Sequence, residues 1–379
     1  MPTPVPIIKS SPHSPGYFTI MTLFHRLRYS AQSILFITAI SVLANTFAID
    51  AAWAQDGSSG QSTTGAKTQD RKLILCLGGG GTRGASHIGM LRQLEKNHVK
   101  ISGIVGTSIG ALIGGLYCAG LTPDEIEDVL LSKALIRSYL TVPVVFRLVV
   151  APFMYIPHAF GHHPYDGLYH GNRFATFINK KVAKLEPNRG NPNLDIEGLP
   201  IKFEAVCTDL LSAEAITINK GNLGRAIQAS SAIPFLRRPV LMTKSDFKRL
   251  PGCIKDDTKD CYLLVDGGPT ANLPTLQARL MADRMGHGFV LAVDTYGNFD
   301  SWSPSHFRKI GSSAERSLEV LLSSVEKKDL DKADMVVSPD VAGINLLSTS
   351  IADAQRAIEA GDQVGIRTVP QLLKRLTAN

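Results

Sequence analysis

From residue 71 onward, short apolar runs alternate with longer segments of helical spacing. Lys72–Leu77 (Lys-Leu-Ile-Leu-Cys-Leu) and Ile101–Val105 are nearly continuous apolar runs, as expected of strands buried on both faces of a parallel sheet. Ala85–Asn97 carries Ile88, Leu91 and Leu94 with polar residues between them, which predicts a helix. Ile109–Ala119 reads as an apolar, Ala/Gly-rich helix ended by Gly120, a natural residue just past a helix terminus. Thr122-Pro123-Asp124-Glu125 opens another, with Thr122 as N-cap, Pro123 at the first helical position and Glu125 set to complete a capping box. Strand, tight loop and helix, twice over, imply a parallel sheet covered on both faces, an α/β fold. Further strands are predicted at Ile201–Thr208, Leu263–Val265, Phe289–Val293 and Met335–Ser338. Ile351–Leu376 reads as closing helices with a break around Gly361, within a closing region 340–379.

Two stretches depart from this rhythm. Tyr139–Phe160 is strongly apolar but holds Arg147, Pro143, Pro152 and Pro157, so it is too interrupted to span a bilayer. It reads either as a buried cap or as an interfacial lid within 139–170. At the N-terminus, Arg26 and Arg28 precede the apolar stretch Ser33–Leu43, and small residues lead to Ala52-Trp53-Ala54. A basic segment, a short apolar core and an A-x-A site predict a secretory signal peptide over residues 1–54, with Met1 or Met21 as the start. The mature protein would then be periplasmic or secreted; the alternative is a membrane anchor that is not cleaved. The polar residues 55–70 read as a disordered leader, which places the folded domain at 71–379.

Composition narrows the choices. The chain has 379 residues, 44% of them hydrophobic, enough for a substantial α/β core. Of its formal net charge of +7, +2 lies in residues 1–54, where Lys9, Arg26 and Arg28 face Asp50. The remaining +5 is mild, consistent with solubility or with attraction to anionic lipid headgroups. No basic run with interleaved aromatics suggests nucleic acid. Cys253 and Cys261 lie in a polar loop and could pair in an oxidising compartment, where closing so short a ring would contribute ~2–3 kcal/mol. Cys76, Cys118 and Cys207 sit in apolar runs and read as inert core residues. No cysteine pair has zinc spacing.

Two glycine-framed turns carry the chemistry. Gly106-Thr107-Ser108-Ile109-Gly110 follows a predicted strand and opens a predicted helix. A G-x-S-x-G turn in that context lifts a serine out of the sheet as a nucleophile; the bland alternative is a structural glycine turn. The earlier run Gly78-Gly79-Gly80-Gly81-Thr82-Arg83-Gly84 is formally a dinucleotide fingerprint. That reading requires an acid at the end of the second strand, and Val99–Ile113 contains no Asp or Glu, which argues against a nucleotide. The competing reading is a set of backbone N–H groups aimed at a tetrahedral oxyanion, with Gly79, Gly80, Gly81, Thr82, Arg83 and Gly84 as its members. Arg83 could fix the loop or neutralise a phosphate. Val265-Asp266-Gly267-Gly268 ends a strand, where open α/β sheets gather their active sites, so Asp266 is the candidate base. His287 and His306 follow it in the order of a Ser–Asp–His triad and form a minor alternative.

With these motifs in hand, the chain resembles the patatin-like phospholipase family, in its bacterial exported branch. The matching residues are Gly79–Gly84 with Ala85-Ser86-His87-Ile88-Gly89, Gly106–Leu112, and Asp266-Gly267-Gly268; softer likenesses are Ala229–Pro234 and Asn272-Leu273-Pro274. The resemblance implies a three-layer α/β/α sandwich and a Ser–Asp dyad without histidine. It also implies lipid acyl hydrolase activity with no metal or cofactor. Ser108 would be the nucleophile, Asp266 its proton acceptor and the first glycine loop the oxyanion hole. The implied partner is a lipid or phospholipid at a membrane surface. The alternative from another class is a lipid-binding protein that uses the fold without turnover.

Overall fold

The computed structural model describes residues 71–141, 167–188, 191, 193–248, 260–296, 303–308 and 312–377. In chain order the strands are β1 (Leu73–Leu77), β2 (Ile101–Thr107), β3 (Lys202–Asp209), β4 (Ala215–Ile218), β5 (Val240–Thr243), β6 (Cys261–Asp266), β7 (Phe289–Val293) and β8 (Met335–Val337). The helices are α1 (Ser86–Lys96), α2 (Ile109–Cys118), α3 (Pro123–Leu131), α4 (Lys133–Tyr139), α5 (Asn172–Val182) and α6 (Leu223–Ser230), followed by α7 (Gly268–Ala271), α8 (Thr275–Arg284), α9 (Ser312–Lys327) and α10 (Ile351–Thr377). The strand order is β5-β6-β3-β2-β1-β7-β8, with β4 also paired to β3.

The strands predicted at 72–77, 101–105, 201–208, 289–293 and 335–338 all form, within one or two residues at each end. β1 pairs in parallel with β2 and β7, and all five of its residues are buried. Its side chains alternate between two cores: Leu73, Leu75 and Leu77 pack with residues of α1, α2 and α10, while Ile74 and Cys76 pack with Ala278, Met281 and Ala282 of α8. Helices therefore cover both faces of a mostly parallel sheet, as in a three-layer α/β/α sandwich. The Thr122 capping box is complete: its side chain accepts from Glu125 N–H while the Glu125 carboxylate accepts from Thr122 N–H at 2.9 Å.

Three expectations change. The strand around Leu263–Val265 is not parallel: β6 runs antiparallel to both β3 and β5. The closing region is one helix, α10, which runs unbroken through Gly361. Gly361 marks instead where α10 presses on α1, since a Cβ there would overlap the carbonyl of Ser86. Gly89 and Gly365 serve the same contact, their Cβ positions falling on α10 backbone and on Gln93. The glycine that looked like a helix breaker is a close-approach residue. Finally, Tyr139 belongs to α4 rather than to a cap, and its hydroxyl donates to Ser231 O at 2.7 Å. Of the cap or lid expected over residues 139–170, residues 142–166 lie outside the described residues, as do the N-terminal segments 1–54 and 55–70 and Cys253. Cys261 is buried at the start of β6.

Candidate active site

The sheet pairing itself brings Ser108 and Asp266 together. Thr107, the last residue of β2, pairs with Val206 of β3, and Asp266, the last residue of β6, pairs with the next β3 residue, Cys207. Ala205–Thr208 have β4 on their other flank. Strands β2 and β6 therefore lie end to end along the same flank of β3, running toward each other, and their carboxyl ends abut. Gly267 is required where they meet, since a Cβ there would overlap Val206 O and lie 3.0 Å from Thr107 Cγ2.

Ser108 is half-buried at the junction of β2 and α2, with φ 55° and ψ −118°. That left-handed backbone strains any non-glycine residue. The flanking glycines make it fit: a Cβ on Gly106 would lie 2.5 Å from Gly110 C, and one on Gly110 would overlap Leu77 O. The Ser108 N–H donates to Ser230 Oγ at 3.0 Å, and the Ser230 hydroxyl donates to Val206 O at 2.7 Å. With its backbone held, Ser108 Oγ donates to Asp266 Oδ2 at 2.6 Å. The other carboxylate oxygen, Oδ1, accepts the Gly268 N–H at 2.9 Å. Burial raises the Asp266 carboxyl to about 6, against the lowering effect of those two hydrogen bonds. It is thus ionised at neutral pH yet more basic than an ordinary aspartate, as a general base should be.

The first glycine loop is narrower in its chemistry than the run from Gly79 to Gly84 suggests. The Gly79 N–H donates to Asn272 O at 2.9 Å, the Thr82 N–H to Leu346 O at 3.1 Å and the Arg83 N–H to Gly80 O at 3.1 Å. Gly84 lies within the 3₁₀ turn Gly81–Ala85. Among the described residues, no acceptor stands opposite the N–H groups of Gly80 and Gly81. Both take positive φ, 141° and 52°. A Cβ on Gly79 would lie 3.6 Å from Ser108 Cβ, so the loop passes directly beside the serine.

Arg83 is tied into the loop's surroundings. Its guanidinium donates to Ile344 O at 2.6 Å and to Glu319 Oε1 at 2.5 Å, and it stacks over Tyr296 at 5.5 Å. These contacts are the ones expected of the loop-fixing reading of Arg83. His287 does not join the dyad. His287 lies on an exposed turn, 3.5 Å from Asp283, while His306 sits in the turn Pro304–Arg308, and Ser108 contacts Asp266 directly. His87 is buried, and burial lowers it to about 4, so it is neutral and donates from Nε2 to Gly78 O at 2.8 Å. It braces the start of the glycine loop. Sequence reasoning gave no role to His87, Ser230 or Asn272, although all three fall within the stretches of family resemblance.

A family model described as patatin-like phospholipase matches residues 75–279, more than half of the chain and both halves of the Ser108–Asp266 pair. The chain belongs to the patatin-like phospholipase family. Among curated relatives it is 30% identical over 203 residues to an uncharacterised NTE family protein of Mycobacterium tuberculosis (strain ATCC 25618 / H37Rv), covering 54% of this chain and 44% of that one. It is 31% identical over 223 residues to patatin-like phospholipase domain-containing protein 6 of Homo sapiens, covering 59% of this chain and 13% of that one. The chain thus spans less than half the length of these relatives. Of solved structures, VipD from Legionella pneumophila is similar at 15% identity with a TM-score of 0.42, over 80% of this chain and 67% of that one.

Proposed function

We propose that this patatin-like protein is a serine lipid acyl hydrolase that cleaves carboxylic esters through an acyl-Ser108 intermediate. The observation that carries the reading is the 2.6 Å hydrogen bond from Ser108 Oγ to Asp266 Oδ2 at a strained elbow. Ser108 Oγ attacks the ester carbonyl carbon while its proton passes to Asp266. The carbonyl oxygen becomes an oxyanion, held by the Gly80 and Gly81 amides with the positive end of α2 nearby. Collapse expels the alcohol, which leaves with the proton from Asp266. Water then attacks the acyl-serine, Asp266 takes its proton, and release of the fatty acid returns that proton to Ser108 Oγ. The acyl chain would lie on the turn Ile233–Leu236, which is tied to the dyad because Ala232 O accepts the Asp266 N–H at 3.0 Å. Phe235 on this turn is 61% exposed, consistent with contact with a lipid surface.

The test uses p-nitrophenyl esters, phospholipid vesicles and a fluorophosphonate probe. The wild-type protein should turn over esters and label at Ser108. Ser108→Ala should lose both, while His287→Ala and His306→Ala keep both. Full turnover in Ser108→Ala would end this mechanism, and vesicle binding with neither turnover nor labelling would leave a lipid-binding protein instead. We also propose export through residues 1–54. Intact mass of the mature protein should begin after Ala54, and a retained N-terminus would favour the anchor.

A further inference from the structure

Behind the glycine loop lie two buried acids that the dyad does not use. Glu326, on α9, is 3% exposed, and Asp294, just after β7, is 6% exposed. Their carboxyl groups hydrogen-bond to each other. Two carboxylates in contact and out of water cannot both be charged. Burial raises Asp294 as well, but the Tyr296 N–H that it accepts at 2.7 Å works against that rise, while burial beside Asp294 pushes Glu326 well above the usual carboxylate range. The proton therefore sits on Glu326 and points at Asp294. The titratable groups that face the pair are Cys76 from β1 and Tyr296, and Tyr296 in turn faces Arg83, Glu319 and Asp266.

The remaining oxygen of Glu326 grips Asn272, which donates from Nδ2 to Glu326 Oε1 at 2.5 Å. Asn272 is 2% exposed and stands between the two halves of the site. Its backbone carbonyl accepts the Gly79 N–H at 2.9 Å. Its side-chain oxygen lies against Gly79 so closely that a Cβ there would overlap it, and it would sit 3.3 Å from a Cβ on Gly268. The Gly79 carbonyl is fixed from the other side by the Thr295 hydroxyl. Asn272 thus holds the Gly78–Gly79 peptide, Thr295 holds the Gly79–Gly80 peptide that leads into the Gly80 and Gly81 amides, and Glu326 holds Asn272.

Resting on the serine hydrolase reading above, we propose that Asn272, locked by the Glu326–Asp294 carboxyl pair, is a positioning residue for the oxyanion loop. It sets the Gly78–Gly79 peptide, and through it the aim of the Gly80 and Gly81 amides, without touching substrate. Glu326 acts as a neutral acid whose place an amide can take.

Steady-state kinetics on a p-nitrophenyl ester test this with the full chain, alongside fluorophosphonate labelling and thermal unfolding. Glu326→Gln offers an oxygen to Asn272 and an N–H to Asp294, so kcat should stay within about threefold of wild type. Glu326→Leu and Asn272→Ala should each lower kcat at least tenfold with KM within twofold, because a misaimed donor harms the transition state and not the bound ester. Should Glu326→Leu fail to fold, Asn272→Ala and Glu326→Gln decide. A tenfold loss in Glu326→Gln, or unchanged kcat in folded Asn272→Ala, overturns the proposal. A wild-type protein that neither labels nor turns over would instead remove the hydrolase reading on which the proposal rests.

Discussion

On the proposed mechanism, replacing Asp266 by asparagine should abolish ester turnover and stabilise the fold, and the second effect depends on pH. In the folded protein the Asp266 carboxyl is raised from the ordinary 3.8 to about 6, chiefly because it is buried. Between those values the folded state keeps a proton that the unfolded chain has released, so stability is full below about pH 4 and falls as pH rises toward 6. Above about 6 the loss is complete. Two pK units at ~1.36 kcal/mol each put it at about 3 kcal/mol. Asparagine removes the charge but can keep both local bonds: its oxygen accepts the Gly268 N–H, and its NH₂ donates to Ser108 Oγ. At pH 8, Asp266→Asn should therefore be more stable than wild type by ~2–3 kcal/mol, which for a domain of this size raises Tm by roughly 3–5 °C. At pH 4.5 the same calculation leaves about 1 kcal/mol. Differential scanning calorimetry at the two pH values reads both numbers, and ester turnover should be absent throughout. Equal melting temperatures at pH 8, or an advantage that does not shrink on acidification, would show that Asp266 is not a desolvated carboxylate and would remove the basis for its basicity.

Other consequences follow from the same geometry. Because Asp266 must be ionised to accept the Ser108 proton, log kcat/KM should climb with unit slope up to about pH 6 and then level off; a profile flat down to pH 4.5 would exclude Asp266 as the base. Gly361→Ala forces a Cβ into Ser86 O. The helix-propensity gain of ~0.5–1 kcal/mol cannot offset overpacking of ~1–3 kcal/mol, so urea denaturation should show a net loss, and a stabilised variant would mean that α1 and α10 part without cost. Arg83→Ala leaves Glu319 buried with Arg316 at 3.0 Å as its remaining cation. A loss of ~2–4 kcal/mol in stability is expected, with KM for phospholipid and for p-nitrophenyl ester changing in parallel. A selective rise for phospholipid would favour Arg83 as a headgroup ligand.

Local signals were readable where a residue's job is local. The apolar runs of β1, β2, β3 and β7, the Thr122 capping box and the two glycine turns all announce themselves within a few residues. Gly361 misleads for the same reason: a glycine in a helical pattern reads as a break, and only the partner helix shows that it serves close packing. The direction of β6 was hidden because a strand's partner is not written in its own residues. Val240–Thr243 is four residues long beside two arginines and a proline, too short a run to stand out. Ser230, Asn272 and Glu326 were illegible as functional residues, since each matters through a hydrogen bond to a chain segment far away in sequence. Asp266 was legible as a candidate base from its place at a strand end, and the family resemblance removed the histidine; the geometric cause, two strands meeting on one flank of β3, was not legible.

That meeting has a consequence for the life of the molecule before it is folded. The nucleophile and its base are 158 residues apart, and they share a site only after β6 has docked antiparallel beside the end of β2. Closing so long a loop is slow relative to forming the neighbouring βα units. A nascent or half-assembled chain can hold a complete serine elbow and still be chemically silent. Assembly thus acts as a safety catch: the serine elbow meets its carboxylate only once a strand from far along the chain has joined the sheet.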